Sequence, residues 1–386
     1  MTVRKDSEPA GSARRLKRRQ FLRSAGGGTA AAAAAALATS SFPKPALAQG
    51  ALQWRMQTTW PKNFPGLGTG ANKLAEFITN ASGGRLTVEV YGGGEIVPPF
   101  ETMDAVDGGT IEMGHGAPYY WKGKVPATQF IASVPFGLNA SEQNAWVQFG
   151  GGQELADKVY KELGCKFFAS GNTGVQMGGW FNKEIQSLED YKGLKMRIPG
   201  LGGEVVKAAG GNVVNLPGGD IPPALASGAI DATEWVGPYN DLAFGLYKSA
   251  EFYYYPGWHE PATLLDNFIS LKAWETLDGE LQAIVEAANA YANAYVLNEF
   301  VASNNGALDT LVDQHGVSLK KFPDEVLNGL GGLAGEVIGD LAAADPASLE
   351  VMESIRDFRQ HSIAFAKVSE QAFYNARGLP FKWADL

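Results

Sequence analysis

Residues 194–235, LKMRIPGLGGEVVKAAGGNVVNLPGGDIPPALASGAIDATEW, decide the fold. Leu194-Lys195-Met196-Arg197-Ile198 reads as a short strand, Gly203 to Ala209 as a helix and Asn212 to Asn215 as the next strand. A short helix from Ile221 to Ser227 then leads into the strand-like run Ile230-Asp231-Ala232-Thr233-Glu234-Trp235. Strand, helix and strand repeated at this length require right-handed parallel crossovers, so the chain belongs to the α/β class.

The same alternation occupies the preceding residues. Leu52 to Gln57 and Leu86 to Tyr91 alternate with period two, Gly68 to Ala81 and Phe100 to Asp107 read as helices, and Ile111 to Gly114 as a third short strand. A second series starts near Lys166 to Ala169, crosses at Gly171 to Gly174, continues through Gly178 to Phe181 and ends near Trp258 to Ala262, after which Leu264 to Leu271 returns as a strand. Two crossings make a hinge, and the crevice between two lobes is the natural ligand site. The expected division is lobe 1 at 51–173 plus 262–300, lobe 2 at 174–261, and a remainder at 301–386.

Helical spacing of Leu281, Ile284, Val285, Ala288, Tyr291, Ala292, Tyr295 and Val296 predicts one helix from Asp278 to about Gln314, long enough to run past both lobes. A last helix opens at Asp345-Pro346, a cap with proline at the first helical position, and runs to just before Gly378. Leu349, Met352, Ile355, Phe358, Phe365 and Val368 stripe it. The stripe docks on its own chain or contacts a second copy, and its length favours a homodimer.

The N-terminus carries an address. Lys17-Arg18-Arg19-Gln20-Phe21-Leu22-Arg23 is a twin-arginine pattern, followed by the alanine run Ala30 to Ala36 and an Ala-x-Ala site at Ala46-Leu47-Ala48. Residues 1–48 are expected to be a removed leader, and the mature chain to reach the periplasm by the twin-arginine route. That leader holds nine of the 32 Lys+Arg and two of the 41 Asp+Glu, leaving 23 against 39 and a net charge of −16. Such a balance argues against nucleic acid and anionic membranes as partners. Cys165 is the single cysteine, so it forms no intramolecular disulfide, and a buried inert thiol is expected.

Glu234-Trp235, Gln176, Arg197 and Glu260 form the candidate constellation. A carboxylate, an amide oxygen and a fixed guanidinium suit a small organic anion bound with a metal ion, although each residue alone is ordinary. Enzyme signatures are weak. None of His115, His259, His315 and His361 pairs at helical zinc spacing. Gly66-Leu67-Gly68-Thr69-Gly70 completes neither a dinucleotide nor a P-loop motif, and there is no Gly-x-Ser-x-Gly elbow. His115 between Gly114 and Gly116 reads as a tight turn rather than a base. The expectation is therefore no enzyme, with a cofactor-independent exported enzyme or a periplasmic ligand-sensing partner of a receptor as the rival readings.

The chain resembles the periplasmic solute-binding subunits of tripartite ATP-independent periplasmic (TRAP) transporters, the DctP-type family. Within it the chain is most similar to the branch binding 2-oxo and 2-hydroxy monocarboxylates with a cation. The carriers are Leu188-Glu189-Asp190-Tyr191-Lys192-Gly193-Leu194-Lys195-Met196-Arg197-Ile198-Pro199-Gly200 and the run from Gly219 to Trp235, supported by Ala117-Pro118-Tyr119-Tyr120-Trp121. The twin-arginine leader departs from the plain secretory leaders of many members. The resemblance implies a two-lobed periplasmic binding protein fold, type II-like, with hinge, long spine helix and C-terminal helix. It further implies a small carboxylate ligand (a 2-oxo acid such as pyruvate or a 2-hydroxy acid such as lactate), TRAP membrane permease subunits as partners, and dimers that exchange C-terminal helices.

The resemblance places Arg197 on the substrate carboxylate, consistent with the bidentate match of guanidinium to carboxylate. It places Gln176, Glu234 and the Trp235 carbonyl on the cation, with Glu260 lining the same side. Oxygen-only ligands suit Na⁺ or Ca²⁺. With both glutamates ionised, a divalent ion, Arg197 and a monoanionic ligand sum to neutrality, whereas Na⁺ leaves one negative charge; the count leaves the ion open. Tyr120 is expected to hydrogen-bond a ligand oxygen, and Trp235, Tyr239 and Trp60 to wall the tail.

Overall fold

The computed structural model describes residues 50–384, and the expected leader and its cleavage site lie outside them. The first series of strands is β1 (Leu52–Thr58), β2 (Leu86–Tyr91), β3 (Met113–Gly116) and β4 (Cys165–Asn172). The second is β5 (Gly179–Phe181), β6 (Lys195–Arg197), β7 (Asn212–Val214), β8 (Ala232–Thr233) and β9 (Phe252–Tyr255), before β10 (Leu264–Ser270) and finally β11 (Ser318–Lys321). Two sheets result, in the orders β2-β1-β3-β10-β4 and β11-β9-β5-β8-β6-β7. The pairs β2-β1-β3 and β8-β6-β7 are parallel, each joined by helical crossovers, whereas β10 runs antiparallel to both its neighbours. The α/β reading and the two lobes therefore stand.

The chain passes between the sheets at 173–178 and returns at 256–263. These crossings are tied together: Thr173 N–H donates to the Thr263 carbonyl at 3.1 Å, Gln176 N–H to the Glu260 carbonyl at 3.2 Å, and Gly257 N–H to the Gln176 carbonyl at 3.0 Å. Backbone polar groups that leave one sheet thus find partners before joining the next.

The spine helix runs Gly279–Asp309 and continues as a wider turn at Thr310–Gln314. Its N-cap is Asp278, whose carboxylate accepts from Leu281 N–H at 2.8 Å. Leu281, Val285, Ala288 and Ala292 pack with Met56, Ile78 and Phe168 under the first sheet. Val296, Phe300 and Leu311 pack with Trp180, Trp235 and Tyr253 of the second lobe as well as Trp60 and Leu67 of the first. One helix therefore supports both lobes. The glycine-rich run at 66–70 exists for this contact: a Cβ on Gly70 would come within 2.3 Å of Val296 Cγ2, and one on Gly66 within 2.5 Å of Phe300 Cζ.

Several expectations change. The His115 segment is strand β3, not a turn; Gly114 is glycine because Phe268 lies across it, 2.2 Å from where a Cβ would stand. The third strand accordingly begins at Met113 rather than Ile111. Strands β9 and β11 and a helix at Asp324–Ala343 were not foreseen. The last helix is not continuous: Pro346–Ala366 and Glu370–Arg377 are separate, with a break at 367–369. Its first half docks on its own chain, with Val351 and Ile355 buried, the Trp146 indole N–H bonded to Ser354 Oγ at 3.0 Å and Arg359 Nε to the Phe136 carbonyl at 2.9 Å. The remainder is uncovered: Phe365 is 71 % exposed, Val368 76 % and Phe373 60 %. Cys165 is buried, its thiol pushed up to about 12 by burial, as an inert thiol requires.

Candidate functional site

Arg197 ends β6, where the strand carries it beneath the second lobe's surface, and it is 1 % exposed. Its Nε donates to the Leu216 carbonyl at 3.1 Å, and Nη1 donates to the Glu234 carbonyl at 3.1 Å and to Glu234 Oε1 at 2.5 Å. Nη2 faces the Tyr120 hydroxyl across the cleft at 3.5 Å, and the guanidinium carbon lies 5.1 Å from the Trp235 ring. A symmetric two-nitrogen clamp is therefore not free in this arrangement. The uncommitted corner is Nη2 beside Tyr120, an approach a ligand carboxylate can share between guanidinium and phenol. Burial pushes the Tyr120 phenol up to about 12, so it stays a neutral donor.

Glu234 follows β8, which lies beside β6, and that adjacency sets the ion pair. Its second oxygen, Oε2, is buried without a hydrogen-bond partner and lies 3.5 Å from His259 Nε2. From the hinge crossings come Gln176 and Glu260. Gln176 Nε2 donates to Glu260 Oε2 at 2.8 Å and to Thr263 Oγ1 at 3.0 Å, which leaves its Oε1 buried and unpartnered. Thr263 Oγ1 also donates to Glu260 Oε2.

Two orphaned acceptors in a buried site are costly unless something positive meets them. Glu234, His259 and Glu260 each present a ligand atom, all within 4.8 Å of one another. Burial pushes the Glu234 carboxyl up to about 7 against the opposing pull of Arg197. Burial, reinforced by the Glu234 charge, does the same to Glu260. His259 is pushed down to about 4 by burial and is neutral. The donor set of carboxylate and amide oxygens fits a hard cation.

The cleft is closed. Lys122 of the first lobe meets Glu204 of the second at 2.8 Å, and Asn240 Nδ2 donates to the Pro65 carbonyl at 2.9 Å. Some 10 Å³ of space remains inside, lined among others by Trp60, Tyr120, Gln176, Trp235, Thr173 and Thr263, which is room for a single water. A ligand must enter with the lobes apart. A larger groove, about 630 Å³, shares no lining residue with this cavity and lies between the 134–137 loop and the helices at 324–343 and 346–366.

The structure brings Arg197, Gln176, Tyr120, Glu234, Trp235, Glu260 and Trp60 together. Tyr239 is not among them: its hydroxyl donates to Glu299 Oε1 on the spine helix at 3.2 Å, and the residue does not line the cavity. Sequence reasoning missed Thr173, Thr263 and His259. The only signal for them was their place on or beside the two crossings.

The model of the family described as bacterial extracellular solute-binding protein, family 7 (DctP), matches residues 56–337. A monocarboxylate 2-oxoacid-binding periplasmic protein from Nostoc sp. is 44 % identical over 324 residues, 84 % of this chain and 88 % of that one. The crystal structure of a TRAP transporter solute-binding protein from Bordetella bronchiseptica is similar at TM-score 0.83 and 36 % identity, covering 85 % of this chain and 97 % of its own. It is a mixed-occupancy dimer with copurified calcium and picolinate in one site and an apo site. A TRAP periplasmic solute-binding protein from Pseudoalteromonas atlantica, with bound sodium and pyruvate, matches at TM-score 0.82 and 38 % identity over 86 % of this chain and 99 % of that one.

Proposed function

The chain belongs to the bacterial extracellular solute-binding protein family 7, and from that premise we propose that it captures a small 2-oxo or 2-hydroxy monocarboxylate, such as pyruvate or lactate, together with Na⁺ or Ca²⁺. It releases the ligand unchanged to TRAP membrane permease subunits and is not an enzyme. The observation that carries this reading is the buried Arg197–Glu234 pair beside the unpartnered oxygens Gln176 Oε1 and Glu234 Oε2.

In this reading Arg197 Nη2 and the Tyr120 hydroxyl take the carboxylate, while Gln176, Glu234, the Trp235 carbonyl and Glu260 hold the cation. The cation supplies the positive charge that lets two glutamates stay ionised beside an anionic ligand. With Ca²⁺ the charges of Arg197, ligand and both glutamates balance. With Na⁺ one glutamate keeps its proton, and their carboxyls, pushed up to about 7, make that easy near neutral pH. Lobe 1 comprises 51–173 plus 262–300, and lobe 2 comprises 174–261 with β11 added at the edge of its sheet. The twin-arginine leader at 1–48 sends the protein to the periplasm. A second copy covers the apolar surface around Phe365, Val368 and Phe373, making a homodimer through the 301–386 segment.

Mass spectrometry of small acids copurified with the exported protein, with elemental analysis for calcium and sodium, tests the reading. The expected result is one 2-oxo or 2-hydroxy acid and one cation per site; a neutral sugar or amine, without metal, would contradict it.

A further inference from the structure

Asp241 sits on the short helix Pro238–Phe244, is 1 % exposed, and does not line the ligand cavity. Its Oδ2 accepts from Trp180 Nε1 at 3.0 Å and from the Tyr253 hydroxyl at 2.6 Å. Two neutral donors on one oxygen would be served as well by an asparagine, without the cost of burying a carboxylate. Its other oxygen, Oδ1, stands 3.5 Å from the Val236 N–H. That N–H belongs to the same peptide unit as the Trp235 carbonyl. The unit is trans, so its C=O and N–H point in opposite directions.

The flanking groups are already fixed. The Trp235 ring packs against Phe64 and Phe244, with centroids 6.3 and 5.2 Å away, and the Val236 carbonyl accepts from Met177 N–H at 3.0 Å. What remains to be set is the tilt and polarisation of the peptide between them. We propose that Asp241 is a positioning residue for the cation: by accepting from Val236 N–H it aims the Trp235 carbonyl at the ion and makes that oxygen a stronger donor. This rests on the cation reading given above. A cation on the carbonyl draws charge along the peptide and acidifies its N–H, so the 3.5 Å contact has room to shorten as the site loads. Outer partners of this kind orient the ligand atoms of metal sites and raise their basicity.

The test uses the full mature chain and CaCl₂ as probe. Isothermal titration at pH 8.5, above the value of about 7 to which burial pushes the Asp241 carboxyl, of Asp241→Asn, which keeps the shape and loses the charge, is expected to show Ca²⁺ bound about 10–100-fold more weakly than by wild type. In ¹⁵N-valine-labelled wild type, the Val236 amide proton is expected to move downfield on adding Ca²⁺, and to move less in Asp241→Asn. A purely structural Asp241 would lower stability without moving either signal. Folded Asp241→Asn that binds Ca²⁺ within about threefold of wild type would overturn the proposal. So would a Val236 resonance that ignores Ca²⁺ in wild type, a readout that holds even if the variant fails to fold. Wild type that binds Ca²⁺ with Val236 unmoved sinks the positioning role alone, whereas wild type that binds neither Ca²⁺ nor, in a parallel titration with NaCl, Na⁺ sinks the underlying reading and this role with it.

Discussion

Arg197→Ala separates the two halves of the site. Arg197 and Glu234 are each 1 % exposed and 2.5 Å apart, so removing the guanidinium leaves both the ligand carboxylate and Glu234 without their buried countercharge. Breaking such a pair costs roughly 3–5 kcal/mol. At about 1.4 kcal/mol per decade, the carboxylate affinity should fall at least about 100-fold. Stability should fall less than affinity, because Glu234 has an escape. Arg197 opposes the effect of burial on its carboxyl, and without that opposition the carboxyl rises above about 7 and takes a proton at neutral pH. The cation should respond in the opposite sense. With one positive charge gone, Ca²⁺ alone should bind the variant at least as tightly as wild type. Arg197→Lys should recover little, since one ammonium cannot reach the Leu216 carbonyl, Glu234 and the ligand together. In the double variant Arg197→Met/Glu234→Gln, the stability loss should be smaller than the two single losses combined. Isothermal titrations with pyruvate in saturating Ca²⁺ and with Ca²⁺ alone, together with thermal melts followed by circular dichroism, read these outcomes. Pyruvate affinity within about threefold of wild type in folded Arg197→Ala would refute the assignment.

The paired glutamates make cation binding pH-dependent. Both carboxyls are pushed up to about 7 from the usual 4.5, so in the cation-free protein their contribution to stability is intact below pH 4.5 and is lost as pH rises through 7. A cation binds the ionised pair and reverses that trend; thermal melts from pH 5.5 to 8.5 should show a Ca²⁺-induced stabilisation that grows with pH, and a stabilisation independent of pH would count against both glutamates as ligands. Tyr239→Phe removes only the hydroxyl bonded to Glu299 and should weaken pyruvate binding by less than about fivefold, whereas Tyr120→Phe, beside Arg197 Nη2, should cost more. Ending the chain after Ala366 removes the exposed aromatic tail while sparing the buried Val351 and Ile355; sedimentation should show a monomer, and a persisting dimer would move the interface elsewhere.

Much of this architecture was legible because its signals are local. Alternation marks β1 and β2, apolar spacing with Asp278 as cap marks the spine helix, and Asp345-Pro346 opens the last one. What failed lacked a local signal. Phe252-Tyr253-Tyr254-Tyr255 is strand without alternation, because its middle residues are buried from both sides. Strand β11 is four residues defined only by pairing with β9. The break at 367–369 interrupts a stripe that reads as continuous. His115 looked like a turn because its glycines suggest one, whereas they make room for Phe268 and Trp121. Within the site, charged and amide residues stood out because burying them needs a reason. Thr173 and Thr263 did not, since ordinary threonines gain their role only when two distant crossings pair. Tyr239 reads as a wall residue because an aromatic facing a cleft and one on a neighbouring helix, bonded to the spine helix, look alike in sequence.

The central claim is that ligand and cation share one buried site, and linkage then requires each to strengthen the other's binding equally. Pyruvate titrated into chelator-treated protein in a buffer free of sodium and calcium, and again with Ca²⁺ or Na⁺ restored, measures this directly. The account predicts weak or undetectable binding without the cation and a recovery of at least about tenfold with it, a coupling of about 1.4 kcal/mol or more. Pyruvate affinity that is unchanged by removing and restoring both ions would contradict it.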